Sequence, residues 1–121
     1  MSSYQVAFTF QVPVASVVPA AVYGANAAGL GVKSQAPYAM TCKSGLTIVS
    51  YPVTIDLAVY GVDGAAVVSL NAHNFGFGPI QTGACKSEAT KLLNAMSGIL
   101  QTWAAQAAWA AAAPPTGAPG R

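Results

Sequence analysis

One imidazole, three carboxylates and two thiols are the groups from which this 121-residue chain could assemble acid–base, nucleophilic or metal chemistry: His73; Asp56, Asp63 and Glu88; Cys42 and Cys85. An acyl-transfer or acid–base centre needs a nucleophile or base together with a partner that orients it. Asp63 stands in a Val-Asp-Gly turn, and Glu88 in the first turns of a helix, where the dipole favours a carboxylate. Asp56 and His73 can meet across a hairpin, and such a pair serves structure as readily as catalysis. Neither cysteine lies in a CxxC or Cys/His ligand spacing, so both are read as free, buried or partly buried thiols, with a disulfide between them as the alternative. The run Gly76-Phe77-Gly78-Pro79 enters a helix but lacks the spacing of a phosphate-binding loop, and its glycines are explained by the turn. No catalytic residue, cofactor or metal is expected, and the chain is read as no enzyme.

The elements that would position these groups follow from periodicity. Val6, Phe8, Phe10 and Val12 alternate with Gln5, Ala7, Thr9 and Gln11, which is the pattern of a half-buried strand. Pro13 ends it. Ser16 is placed to cap a helix that accepts Pro19 in its first turn and runs to about Ala28, with a small-residue stripe of Val18, Ala21, Val22 and Ala25. Gly29 and Gly31 can stop that helix. A brief strand follows at Tyr38 to Cys42. Thr47, Val49, Tyr51, Val53, Ile55, Leu57 and Val59 keep one phase and imply a long strand, in which Pro52 suggests a bulge, a bend or an unpaired edge. Val62-Asp63-Gly64 turns the chain into a returning strand from Ala65 to about Asn74.

Thr82 is placed to cap the last helix, whose apolar face reads Cys85, Ala89, Leu92, Met96, Ile99, Trp103 and Ala107. The predicted architecture is therefore α+β, in the order βαβββα: an antiparallel four-stranded sheet packed on a short helix and a long C-terminal helix at about residues 80–113. Residues 1–113 form one domain, and 114–121 a Pro/Gly/Ala tail.

Composition narrows the partners. Charged residues make up 7% of the chain, against roughly a quarter in an ordinary domain, and hydrophobic ones 54%. The net charge of +2 is scattered and forms no basic stripe, so nucleic acid is excluded as a partner. Polar residues interrupt every apolar run before it reaches the ~18 to 20 residues of a spanning helix. The N-terminus shows no basic region followed by an unbroken apolar stretch, which makes the cytoplasm the simplest address.

The alternating start Tyr4 to Val12, the hairpin Thr47 to Asn74 and the Gly76-Phe77-Gly78-Pro79 passage into the final helix occur in an order that resembles the helix-grip folds of the START and polyketide-cyclase-like group. The resemblance spans residues 4 to about 101. It implies a curved sheet wrapped on the last helix and an apolar ligand held between them. Phe8, Phe10, Met96 and Leu100 are then the candidate lining residues, and the same four also read as plain core.

Self-assembly accounts for more of the sequence at once. An overlong apolar helix and a charge-poor surface are expected where copies of a chain cover one another. The main expectation is a non-enzymatic structural protein forming a homo-oligomer, a filament or a shell-like array, with Tyr23, Tyr51, Tyr60, Trp103 and Trp109 as interface anchors. A carrier or sequestering domain for an apolar ligand is the alternative.

Overall fold

The computed structural model describes residues 2–45 and 51–112, with side chains described as far as residue 105. β1 (Ser2–Phe10) leads through a 3-10 turn (Val14–Ser16) into α1 (Val17–Ala27). Then come β2 (Gly31–Ala36), β3 (Ala39–Lys43), β4 (Thr54–Val62), β5 (Ala65–Asn74) and α2 (Pro79–Ala112). The strands form one antiparallel sheet in the order β1-β5-β4-β3-β2. α1 carries the chain from one edge to the other, and the meander β2 to β5 returns to β1. The fold is α+β as expected, but the sheet has five strands where four were predicted.

The extra strand is β2. Only Val32 of its residues is packed against the core, and the register shifts between Val32 and Ser34, so an edge strand with polar residues on both faces leaves no period of two to read. The other departure is at Pro52. β4 begins at Thr54 and lies between β3 and β5, so Pro52 precedes a central strand and marks no edge. A reciprocal pair of bonds closes the approach instead: Ser44 N donates to Val53 O at 2.9 Å, and Val53 N donates to Ser44 Oγ at 2.8 Å. Thr47 and Val49, assigned to the same long strand, lie outside the described residues, as does the tail 114–121.

Alternation decides which face is covered. On β4, Ile55, Leu57 and Val59 are buried and Asp56, Ala58 and Tyr60 exposed; on β5, Val68, Leu70 and Ala72 face the same interior. Both helices lie on that side, α1 over β2 and β3 and α2 over β1 and β5. α1 contributes Val17, Val18, Ala20, Ala21 and Ala25 to the core. Ser16 makes no side-chain cap bond, because the preceding 3-10 turn already leads into the helix. At the other end Gly29 takes φ +81°, and Leu30 N donates to Ala25 O at 2.8 Å, which stops the helix.

α2 starts at Pro79, three residues before the predicted cap; Thr82 Oγ1 instead donates back to Gly78 O at 3.2 Å. Its buried line is Cys85, Ala89, Leu92, Met96 and Leu100, with Ile99 and Trp103 partly covered. Asp63 and Gly64, with φ of 51° and 80°, make the two-residue turn between β4 and β5. No helix among the described residues is long and apolar enough to cross a membrane.

Candidate ligand-binding groove

β1 is an edge strand, and its core-facing side chains are Tyr4, Val6, Phe8 and Phe10. They stand opposite Ala72, Leu70, Val68 and Ala66 of β5, which are buried. The β1 residues are not. α2 turns Leu92 and Met96 toward the centre of the sheet, and the neighbouring line Thr90, Leu93, Asn94 and Ser97, spaced i, i+3, i+4 and i+7, toward β1. Between the two walls runs a groove of about 250 Å³, and Phe8 remains 43% exposed along it. One wall is aromatic and aliphatic; the other offers one leucine, two hydroxyls and a carboxamide.

α1 lies beside α2 on the same face of the sheet, over β2 and β3, so the groove falls on the other flank of α2, over β1. Gly24 brings the α1 backbone against that of Met96, so the two helices meet in close backbone contact. Of the four residues proposed as lining, Phe8 and Phe10 border the groove, whereas Met96 and Leu100 are fully buried in the core. Thr90, Leu93, Asn94 and Ser97 were not singled out from the sequence. They run beside the apolar line of α2, and Leu93 at helical spacing from its hydroxyl neighbours is the one signal that could have found them.

Of the acid–base candidates, Asp56 and His73 meet on the opposite face of the sheet, whereas Asp63 lies in the β4–β5 turn and Glu88 on α2. Asp56 Oδ1 accepts from Thr41 Oγ1 at 2.8 Å, and His73 Nε2 lies 3.2 Å from Asp56 Oδ2. All three are at least partly exposed. Thr41 donates to the carboxylate and not to the imidazole, so the order of groups is not that of an activated hydroxyl nucleophile. Cys42 points the other way, into the core. Burial pushes its thiol up to about 11, with the charges of Asp56 and Glu88 acting in the same direction. Cys85 is buried as well; burial raises its pKa, and its Sγ lies 3.7 Å from Ser2 O. Both thiols are free. Among the described residues no three His, Cys, Asp or Glu side chains are placed to hold a metal ion.

Two other hollows are larger and more open. One, about 440 Å³, lies on the outer face over Ala39, Ala58, Ser69 and Asn71; the other, about 490 Å³, is framed by Val18, Pro19 and the Pro37-Tyr38 turn. Neither shares a wall with α2.

The expected interface anchors are dispersed. Tyr51 and Tyr60 are exposed, on a loop and on the outer face of β4. Tyr23 and Trp103 meet each other edge to face, with ring centroids 6.0 Å apart at 89°. Trp109 lies near the end of α2, where side chains are outside the described residues.

No known protein family matches the sequence, and no curated protein does. Among solved structures the chain is similar to the crystal structure of Ara h 8.0201, with a TM-score of 0.52 at 12% identity over 83% of this chain and 97% of that one. Ara h 8 has the Bet v 1-like, helix-grip fold, and the likeness supports a helix-grip-like architecture for this chain without pointing to START proteins in particular. It overturns the expectation of a self-assembling filament or shell protein. The physical reason lies in α2, whose apolar line from Cys85 to Leu100 is used inside the chain, while Trp103 stands edge to face with Tyr23. A homo-oligomer is not shown.

Proposed function

We propose that this chain is a non-catalytic carrier or sequestering domain that holds an apolar small molecule in the groove between β1 and α2. The observation that carries the reading is the row Tyr4, Val6, Phe8 and Phe10, which lies on the core side of the sheet yet is left incompletely covered by the helix. Apolar surface left open on one flank of a core has its greatest gain in free energy when another apolar body covers it, at roughly 25 cal/mol per Å² buried. The volume of about 250 Å³ sits just below the ~300 Å³ at which drug-sized sites begin, so a small ligand is favoured. Thr90, Asn94 and Ser97 can bond one polar edge of it. The helix-grip likeness supports the reading, since it sets a sheet and a long final helix face to face.

Native mass spectrometry after gentle purification, together with titration of a fluorescent apolar probe such as anilinonaphthalene sulfonate, tests it. A co-purified mass, or probe binding that Leu93→Trp abolishes, is the expected result. Absence of any co-purified mass, together with probe binding that is absent or unaffected by Leu93→Trp, would remove the proposal.

A further inference from the structure

The loop between β5 and α2 presents large apolar side chains to solvent on a backbone that is held in place. Phe75 is 75% exposed, Phe77 81% and Ile80 64%, all within six residues, and Tyr51 is exposed beside them. Such side chains are ordinarily withdrawn from water, and a cluster of them marks a contact surface. The loop is also tied from several sides. Ser2 Oγ donates to Gly76 O at 2.9 Å, and Gln81 Oε1 accepts from Asn74 Nδ2 and from Tyr51 N, each at 3.0 Å. Gln81 packs so closely on Gly76 that a Cβ there would stand 2.4 Å from Gln81 Cγ. Gly78 adopts φ +96°, open to glycine and strained for other residues. The phenylalanines are thus displayed by construction.

Charge at this end of the molecule favours one class of partner. Lys43 pairs in register with Thr54, and Thr54 with His73, two residues from Phe75. Lys86 lies on the second turn of α2. Neither lysine has an ion-pair partner among the described residues, and Glu88 is paired with Lys91 at 3.0 Å; Asp56, on the strand beside Lys43, accepts from Thr41 Oγ1 and lies 3.2 Å from His73 Nε2. The remaining described carboxylate, Asp63, is in the turn at the far end of β4 and β5. Exposed aromatic and aliphatic side chains with two unpaired lysines at the same end of the molecule match a lipid surface bearing anionic headgroups, with the apolar groups entering the headgroup–acyl boundary and the lysines remaining at the phosphates.

We infer that the Asn74–Pro79 loop and the start of α2 dock this protein peripherally on anionic lipid bilayers, through Phe75, Phe77 and Ile80 with Lys43 and Lys86. The surface lies at the end of the molecule where α2 begins, the end from which the groove runs along β1. The inference stands on the loop, the start of α2 and the two lysines, and does not require the groove to hold a ligand.

Flotation of the full chain with vesicles of phosphatidylcholine, or of phosphatidylcholine mixed with phosphatidylserine, tests it. Binding to the mixed vesicles is expected, weakening as salt is raised. The double variant Phe75→Ser, Phe77→Ser should lose at least about tenfold in partitioning, since each ring withdrawn from water contributes on that scale. Lys43→Gln with Lys86→Gln should remove the preference for the anionic mixture, and Leu93→Trp, which blocks the groove, should leave flotation unchanged. Circular dichroism confirms that each variant is folded. Equal flotation of the wild type and the double phenylalanine variant overturns the inference, as does absence of wild-type protein from both floated fractions. So does sedimentation without vesicles that the phenylalanine variant abolishes, which would assign the loop to a second copy.

Discussion

Gly24 of α1 lies directly against the backbone of Met96 in α2: a methyl group on its Cα would stand 2.9 Å from the Met96 amide nitrogen and 3.2 Å from its Cα. The neighbour is main chain in the middle of a 34-residue helix and has no rotamer with which to yield. Gly24→Ala should therefore push the helices apart, at a cost of about 1–3 kcal/mol despite the better helix propensity of alanine. Thermal unfolding followed by circular dichroism reads this as a fall in Tm. An unchanged or higher Tm would mean that the α1–α2 backbone contact can open without cost.

The same contact decides what Met96 does. With α1 closed over it, Met96 is a core residue, and Met96→Ala should destabilise the fold by about 2–5 kcal/mol in urea unfolding. Leu93, one position round the helix and bordering the groove, should behave oppositely: Leu93→Trp leaves the unfolding midpoint nearly unchanged and removes apolar-probe binding. Loss of probe binding in a folded Met96→Ala variant, with Leu93→Trp unaffected, would move the site into the interior.

Trp103 reports on where the described part of α2 ends its contact with α1. Its edge-to-face contact with Tyr23 is worth about 0.5–1.5 kcal/mol beyond the area buried. A double-mutant cycle of Tyr23→Leu and Trp103→Leu should return a coupling energy in that range. A coupling near zero would show the rings to be neighbours without mutual stabilisation.

Much of the architecture was legible because its apolar residues repeat in phase. Val6, Phe8 and Phe10 announce β1, Ile55, Leu57 and Val59 announce β4, and Cys85 to Met96 announce α2; in each case one face alone is buried, and periodicity encodes that difference. β2 was not legible, because an edge strand with a bulge and a single core residue has no such difference to record. The Asp56–His73 pair followed from hairpin register, which the Asp63-Gly64 turn sets. The groove was legible on one wall only. Phe8 and Phe10 belong to a strand pattern, but which face of α2 meets them depends on how closely α1 packs beside it. That in turn depends on Gly24 and the alanines of α1, whose small size is a tertiary fact that periodicity does not carry.

Cys42 gives the fold a pH dependence that can be isolated. Its thiol titrates at about 11 in the folded chain against 9.0 for an ordinary cysteine, chiefly because burial disfavours the thiolate, with Asp56 and Glu88 adding repulsion. Between these two values the unfolded chain has released the proton while the folded chain retains it, so the unfolded state binds fewer protons and stability falls as pH rises. Below pH ~9 the contribution is fully present; by pH ~11 about 2–3 kcal/mol of it is lost. Urea unfolding across that window should show a steeper decline for the wild type than for Cys42→Ala, whatever the offset that the lost sulfur introduces. The thiol should also resist dithiobis(nitrobenzoate) at pH 8 until urea is added. Parallel declines for the two proteins, or rapid modification of Cys42 in the folded state, would show that α1 and the sheet do not exclude water from the inner end of β3.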